Sequence, residues 1–169
     1  MKSASWYRNA VSLIADRSSA SDLFASGKLL GRPSAGRMSM FFYDPKTKAR
    51  LPYYDTFPLV LPLDTARGGF IGLNFHYLPY GARFSFLQQL QSYATNGKFD
   101  SSTKILASYN SIKGNKYTKV AIKRYLYSQV RSNFLRVNVD EMALAAYLPV
   151  AQFTGRTLGG VFSAARKNF

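Results

Sequence analysis

The sequence predicts a mixed α+β protein, in which a small β-hairpin or sheet region packs with three to four helices behind an extended N-terminal arm. The chain has 169 residues and is 47 % hydrophobic, so it is long enough for about one domain with a real core. Proline-bearing strand patterns lie in its first half and helical periodicities follow them. We therefore predict a core domain at residues 38–153, between an N-terminal region, 1–37, and a C-terminal tail, 154–169.

The N-terminal region combines a short helix with a segment rich in Ser, Gly and Ala. Residues 4–16 place Trp6 and Leu13 at helical spacing behind serines that can cap the helix. Residues 17–37 have the composition of an extended arm or linker. Apolar residues such as Leu23 are unusual in a solvated tail. The segment is therefore either an arm that wraps a neighbouring subunit or a loop packed on its own domain.

The region from Met38 to Pro79 contains the strand signals. Met38–Tyr43 is a short strand candidate, and residues 57–63 and 70–75 predict a β-hairpin around a Gly-containing turn. Proline donates no ladder hydrogen bond, so the first hairpin strand is expected at a sheet edge or broken. Gly72 inside the second strand predicts a bulge or the close approach of another backbone.

The second half of the chain predicts helices. The candidate segments, defined by apolar spacing and by stop signals such as Asn96-Gly97, are residues 81–94, 103–112, 117–134 and 141–147. The segment 117–134 is the longest of them. The tail after Thr154 is Gly-, Ser- and Arg-containing and is predicted to be extended.

The net charge of +15 is the strongest compositional signal. It is concentrated, because residues 81–138 carry ten cations against one acid, and no acid occurs between Ser101 and Val139. Such a surplus is tolerated when an anionic partner neutralises it. Nucleic acid, a membrane surface and an acidic protein are the candidates, in that order.

A cationic face is therefore predicted as a nucleic-acid contact. On a helical wheel most of its members share an arc of about 140°. Nearby tyrosines can stack on exposed bases. The alternatives are a face that meets an acidic protein and a solvated cationic face. The predicted set is Lys113, Lys116, Lys119, Lys123, Arg124, Arg131 and Arg136.

Aromatic residues make up 15 % of the chain, which suits either an aromatic core or a protein interface. The Met38–Pro79 region is nearly neutral, at +1, and we interpret it as scaffold and protein-facing surface. The residues predicted for that interface are Tyr53, Tyr54, Phe57, Phe70 and Tyr77.

Catalytic and metal-binding signals are weak. The chain has no cysteine and one histidine, His76, which we expect to be a packed residue. Asp44, Asp55 and Asp64 could in principle hold Mg²⁺, as in a nuclease, although each also suits a turn. We predict no enzyme, no resident metal, no cofactor and no small-molecule substrate, with a Mg-dependent nuclease as the weakest alternative.

Membrane and export signals are also weak. No apolar run approaches the ~20 residues of a membrane span, and Arg8 and Asp16 interrupt the N-terminal apolar patch. We expect an intracellularly made, soluble protein without a membrane partner.

Two segments carry a family resemblance: FFYDPKTKARLPYYDTFPLVLPL…GGFIGLNFHYLP and AIKRYLYSQVRSNFLRVNVDEMALAAYLPVAQF. They resemble the signatures of a small virion protein of contractile-tailed phages related to T4, of the DNA end protector type, and span about 38–153. The resemblance implies a structural protein bound near the end of packaged double-stranded DNA at the head–tail vertex. It implies other virion proteins as partners and a virion location after assembly in the host cytoplasm. A baseplate, neck or tail assembly protein making only protein contacts is the alternative.

Overall fold

The computed structural model describes residues 3–13, 19–34, 36–94, 116–137 and 141–167. It confirms the predicted mixed α+β class, with an antiparallel sheet and helices packed against it. The strands are β1 (Leu29–Leu30), β2 (Ser39–Met40), β3 (Tyr54–Asp55), β4 (Leu59–Ala66), β5 (Gly69–Asn74), β6 (Ile122–Leu126), β7 (Phe134–Arg136) and β8 (Phe153–Thr154). Six of them form one sheet in the order β1-β7-β2-β4-β5-β6, and β3 pairs with β8.

The predicted hairpin is confirmed as β4 and β5, which pair antiparallel from Val60 opposite Asn74 to Ala66 opposite Gly69. The ladder shifts register between Pro62 and Asp64, where proline has no N–H to donate. β4 lies inside the sheet between β2 and β5, so the first hairpin strand is not at an edge, and it is continuous with a shift in its ladder at Pro62. Gly72 faces Pro62 at this bulge, and a Cβ there would collide with Val60.

The large sheet is strongly curled around a core of aromatic side chains. The ring of Phe134 on β7 lies 6.1 Å from that of Phe70 on β5. Two strands separate them in the sheet order, which in a flat sheet would hold them roughly 14 Å apart. Phe41 fills the curl, with its ring 5.3 Å from Tyr125 and 4.8 Å from Phe134. The curl brings β6 round toward the segment that follows β2.

The helices cover the other face of the sheet. They are α1 (Ala4–Ser12), α2 (Ala20–Ser26), α3 (Tyr80–Ala94), α4 (Lys116–Lys119), α5 (Met142–Tyr147) and α6 (Leu158–Lys167). α1 and α3 both pack against α5, where the Tyr147 ring stacks between Tyr7 and Tyr80. The predictions for α3 and α5 are confirmed. The predicted helix at 103–112 and the stop at Asn96-Gly97 lie outside the described residues.

The prediction of one helix across residues 117–134 is wrong. The α-helix there is only Lys116–Lys119, and Ile122–Leu126 is the edge strand β6, paired with β5. A single 3₁₀ turn, Tyr127–Gln129, follows the strand. Lys, Arg, Leu and Gln favour helices locally, but pairing with β5 offers this segment a ladder of backbone hydrogen bonds. The predicted helical arc of cations therefore does not exist. Neighbouring residues of β6, such as Lys123 and Arg124, project to opposite faces.

The two ends of the chain are more ordered than the composition predicted. Ser19 and Asp22 form a capping box that starts α2, and β1 pairs with β7, so this segment packs on its own domain. After Thr154 the chain forms α6 instead of an extended tail, and α6 buries Val161 and Ala165. Apolar residues at helical spacing outweigh the two glycines at the start of α6.

Arg83 locks α3 to the rest of the domain. Its side chain is 1 % exposed. Its guanidinium donates to the carbonyl oxygens of Leu78, Ala146 and His76, at 2.7, 2.6 and 3.3 Å. Burial lowers the pKa of Arg83 to about 10. Three carbonyl acceptors offset the desolvation of the charge, so the contact joins α3, α5 and the turn Phe75–Tyr77.

Candidate nucleic-acid interface

A surface pocket of about 500 Å³ lies between β6 and the segment from Tyr43 to Asp55. Its wall contains side chains of two kinds, cations and tyrosines. The cations are Lys46, Lys123 and Arg124, and the tyrosines are Tyr43, Tyr54, Tyr77 and Tyr125. Flat aromatic faces beside cations suit a ligand that has both a ring system and a phosphate.

Lys123 is the most enclosed of these cations. Its Nζ lies 4.3 Å from the centroid of the Tyr77 ring, which holds the ammonium by a cation–π contact. Burial lowers the pKa of Lys123. Among the described residues Lys123 forms no ion pair. A half-buried ammonium without a carboxylate partner favours an anionic ligand.

Arg124 extends the positive charge toward the turn between β4 and β5. It is exposed, and its Nη2 donates to the carbonyl oxygen of Arg67 at 2.8 Å. That bond ties the Arg124 side chain to the backbone of the turn at one end of the hairpin. Arg32 lies nearby along the curl, with its guanidinium 5.9 Å from the ring centroid of Tyr127, which is 39 % exposed.

The edge of β6 faces the pocket wall. The N–H of Tyr127 donates to the carbonyl oxygen of Gly68 across the β5–β6 ladder. Because backbone N–H and C=O groups alternate in direction along a strand, those of Lys123 and Tyr125 also point toward β5. The backbone of Arg124 and Leu126 then points away from β5. The N–H of Leu126 donates to the hydroxyl of Tyr43 at 3.2 Å, which confirms that this side faces the Tyr43 segment.

A buried polar network lies behind the pocket. Asp55 is 4 % exposed, and its Oδ2 accepts from Nδ2 of Asn74 at 3.0 Å and lies 2.8 Å from Nδ1 of His76. The N–H of Phe57 donates to its other oxygen at 3.0 Å. Tyr125 hydrogen-bonds to Asn74, and burial raises the pKa of Tyr125 well above its ordinary value. His76 is therefore a packed residue, as predicted.

The predicted cations are only partly brought together. Lys123 and Arg124 line the pocket, and Lys119 is exposed at the end of α4, just before β6. Arg131 is not a lining residue of the pocket and lies 3.7 Å from Asp44, which also pairs with Lys48 at 2.8 Å.

Two further members of the set lie on other parts of the described structure. Arg136 lies on β7, half-buried. Lys116 belongs to α4, and Lys113 lies outside the described residues. Sequence reasoning missed Lys46, whose only signal was its place in the exposed turn after Pro45.

The aromatic residues predicted for a protein interface are mostly core residues. Phe57 is 0 % exposed, and Phe70 and Tyr77 are also buried within the domain. Phe70 packs inside the curl, and Tyr77 packs against Phe153 of β8. Phe57 packs against Phe24 and Phe42. Tyr53 and Tyr54 remain half-buried and reach the surface. Tyr54 does so at the pocket.

The described residues contain no cluster of three or more His, Asp or Glu side chains that could hold a metal ion. Asp44 pairs with Lys48, Asp55 is buried in its network, and Asp64 accepts from the N–H of Thr65 in the hairpin. The Mg-dependent nuclease alternative therefore has no such site in these parts of the chain. None of the helices described is long and apolar enough to cross a lipid bilayer.

The fold and the pocket thus define a strongly basic α+β protein with a tyrosine-lined, cation-rimmed surface site. The chain belongs to the family described as the phage T4 terminal DNA protecting protein, whose model matches residues 2–167. The match confirms the resemblance and extends it through both end regions, beyond residues 38–153. No curated protein and no solved structure matches the chain.

Proposed function

We propose that this protein is a non-enzymatic structural protein of a contractile-tailed phage virion and binds the end of the packaged DNA at the head–tail vertex. Family membership supports the role at DNA ends. The observation that carries the proposal is the cationic edge of β6, where Lys123 and Arg124 join Lys46 around the pocket. Other virion proteins are its expected neighbours, and Tyr53 is the remaining surface candidate for such contacts.

The physical basis is charge and stacking. Lysines and arginines that neutralise phosphates release counterions and supply affinity without reading sequence. This suits a protein that meets whatever sequence the DNA end presents. An end differs from the side of a duplex because its last base pair is open to stacking on one face. The pocket offers the half-buried ring of Tyr54 beside the cations. The side of a duplex exposes phosphates and base edges but no base face that could stack on such a ring.

The proposal predicts a preference for open ends. A short blunt duplex is compared with a duplex of the same sequence whose two ends are closed by hairpin loops. The open duplex is expected to bind more tightly. Affinity for both is expected to fall steeply, by orders of magnitude for a multi-phosphate contact, between about 50 and 200 mM salt. Equal affinity for open and closed duplexes would contradict binding at DNA ends.

Charge-reversal variants test whether the cationic edge of β6 binds the DNA. Lys119→Glu with Lys123→Glu is expected to abolish duplex binding. Arg166→Glu with Lys167→Glu, at the end of α6, changes the net charge by the same amount and serves as the control. Equal weakening by the two pairs would mean that binding is a diffuse effect of the +15 charge. A virion map that places the protein in the baseplate, remote from the head, would contradict the vertex location.

A further inference from the structure

The pocket between β6 and the Tyr43–Asp55 segment is too small for a double helix but large enough for one nucleotide. Its volume of about 500 Å³ lies within the range of small-molecule sites, roughly 300–1,000 Å³. A duplex, whose major groove alone is about 12 Å wide, does not fit. Only a nucleotide that has left the base stack can enter, and this costs least where the base is not held on both sides, as at an end.

We propose that this pocket holds the terminal nucleotide of one DNA strand, with its phosphomonoester on Lys123 and Arg124 and its base against the ring of Tyr54. The inference rests on the proposed function and names the ligand chemistry of the same site. A terminal phosphomonoester carries about −1.5 to −2 charges near neutral pH, against −1 for an internal phosphodiester. The site can therefore distinguish the end of a strand from its interior by charge.

Lys123 is positioned for that phosphate. The Tyr77 ring fixes its ammonium, and no carboxylate among the described residues pairs with it. The exposed guanidinium of Arg124 adds fork-shaped donors at the rim. The backbone N–H of Arg124 points to the same side as that of Leu126, which reaches Tyr43. Lys123 and Arg124 thus both line the pocket, and the backbone N–H groups of Arg124 and Leu126 point to that side of β6.

The back of the pocket determines which part of the nucleotide enters. The Asp55 carboxylate there repels a phosphate, although hydrogen bonds from Asn74 and the N–H of Phe57 spread its charge. The phosphate therefore stays at the rim and the uncharged base lies inside. Tyr54 is half-buried and lines that interior, and base–aromatic stacking tolerates every base.

The test compares short duplexes that differ only at their ends: a 5′-phosphate, a 3′-phosphate, hydroxyls at both termini, and hairpin-closed ends. Wild-type protein is expected to bind one phosphorylated form about tenfold more tightly than the hydroxyl form. The 5′ and 3′ arms identify which strand terminus is held. No preference for either phosphate would overturn the inference. A retained preference for open over closed ends would leave the proposed function standing, whereas its loss would remove both.

Matched variants assign the effect to the pocket. Lys123→Met keeps the length of the side chain and is expected to bind phosphorylated and hydroxyl ends equally. Lys123→Arg is expected to keep the discrimination, which separates loss of charge from misfolding. Lys28→Met removes one exposed cation that does not line the pocket, and this variant is expected to retain the discrimination. Tyr54→Ala is expected to weaken the binding of phosphorylated and hydroxyl ends to the same extent. Discrimination that survives Lys123→Met would overturn the inference.

Discussion

Nδ1 of His76 lies 2.8 Å from Oδ2 of Asp55, and both side chains are almost completely inaccessible to solvent. The same carboxylate accepts from Asn74 at the end of β5 and from the backbone N–H groups of Phe57 and Gln152. Asp55 therefore ties the small sheet to the large one directly behind the pocket. The protein uses a carboxylate here as a structural acceptor for several donors from different segments.

Removing that carboxylate is expected to destabilise the fold strongly. Asp55→Ala leaves four buried or half-buried donors without their acceptor, so the free energy of unfolding is expected to fall by about 3–5 kcal/mol. Urea unfolding measures the change. Asp64→Ala, which removes an exposed carboxylate in the hairpin, is the control and is expected to stay within about 0.5 kcal/mol of wild type. A loss at Asp55 as small as that of the control would contradict this role.

Arg83 provides a second stability prediction. Arg83→Met keeps much of the packing volume but removes the donors to three carbonyl oxygens. The free energy of unfolding is therefore expected to fall by at least about 3 kcal/mol. Arg83→Lys is not expected to rescue the loss, because an ammonium lacks the rigid fork that reaches acceptors on several segments. Arg166→Met, on the exposed end of α6, is the control. Full stability of Arg83→Lys would show that charge, and not fork geometry, matters.

The hairpin and two helices could be predicted because their local signals agree with the tertiary structure. β4 and β5 surround a Gly turn, and Gly68 has a φ of 72°. α3 follows Pro79 and has regular apolar spacing. In these segments turn chemistry, propensity and periodicity favour one structure, so no long-range contact is needed to decide between alternatives.

β6 could not be predicted from local preference, because its structure depends on a strand about fifty residues earlier. Its signal was a run of β-branched and aromatic residues, from Val120 through Tyr125 to Val130, mixed with helix-favouring Lys and Arg. The pocket was missed for the same reason. Lys46 and Lys123 meet only because the sheet curls and returns β6 to the segment after β2. Their convergence has no signature in sequence spacing.

Gly69 is expected to be essential to the β5–β6 pairing. It faces Leu126 across the ladder, and a Cβ at Gly69 would collide with the carbonyl oxygen of Tyr125. Gly69→Ala is therefore expected to destabilise the fold by about 1–3 kcal/mol and to weaken DNA binding through displacement of β6. Gly81→Ala, in the first turn of α3 with no atom within 4 Å of the new methyl group, is the matched control.

The two glycine variants are compared by thermal unfolding and duplex binding. Gly81→Ala is expected to be neutral or to stabilise by up to about 1 kcal/mol, because alanine favours a helix. Gly69→Ala with wild-type stability and wild-type binding would mean that the strand pair adjusts without displacing the pocket wall.

Lys123 is expected to make stability and DNA binding respond to pH in opposite directions. Burial lowers its pKa in the folded state. Between that lowered pKa and the ordinary pKa of lysine, the unfolded chain binds more protons than the folded one, so stability rises with pH. In the same window the folded protein loses the ammonium that holds phosphate, so affinity for a phosphorylated DNA end falls.

Unfolding by urea and duplex binding, each measured as a function of pH from neutral into the alkaline range, test both halves of this expectation. Lys123→Arg keeps its charge throughout, so its DNA affinity is expected to lose the alkaline decline that the wild type shows. Lys123→Met is expected to lose the alkaline gain in stability, because it removes the titrating group. Lys28→Met, which leaves Lys123 in place, is expected to follow the wild type in both measurements. An alkaline decline in affinity that persists unchanged in Lys123→Arg would assign the titration to another group and contradict the role of this ammonium in the pocket.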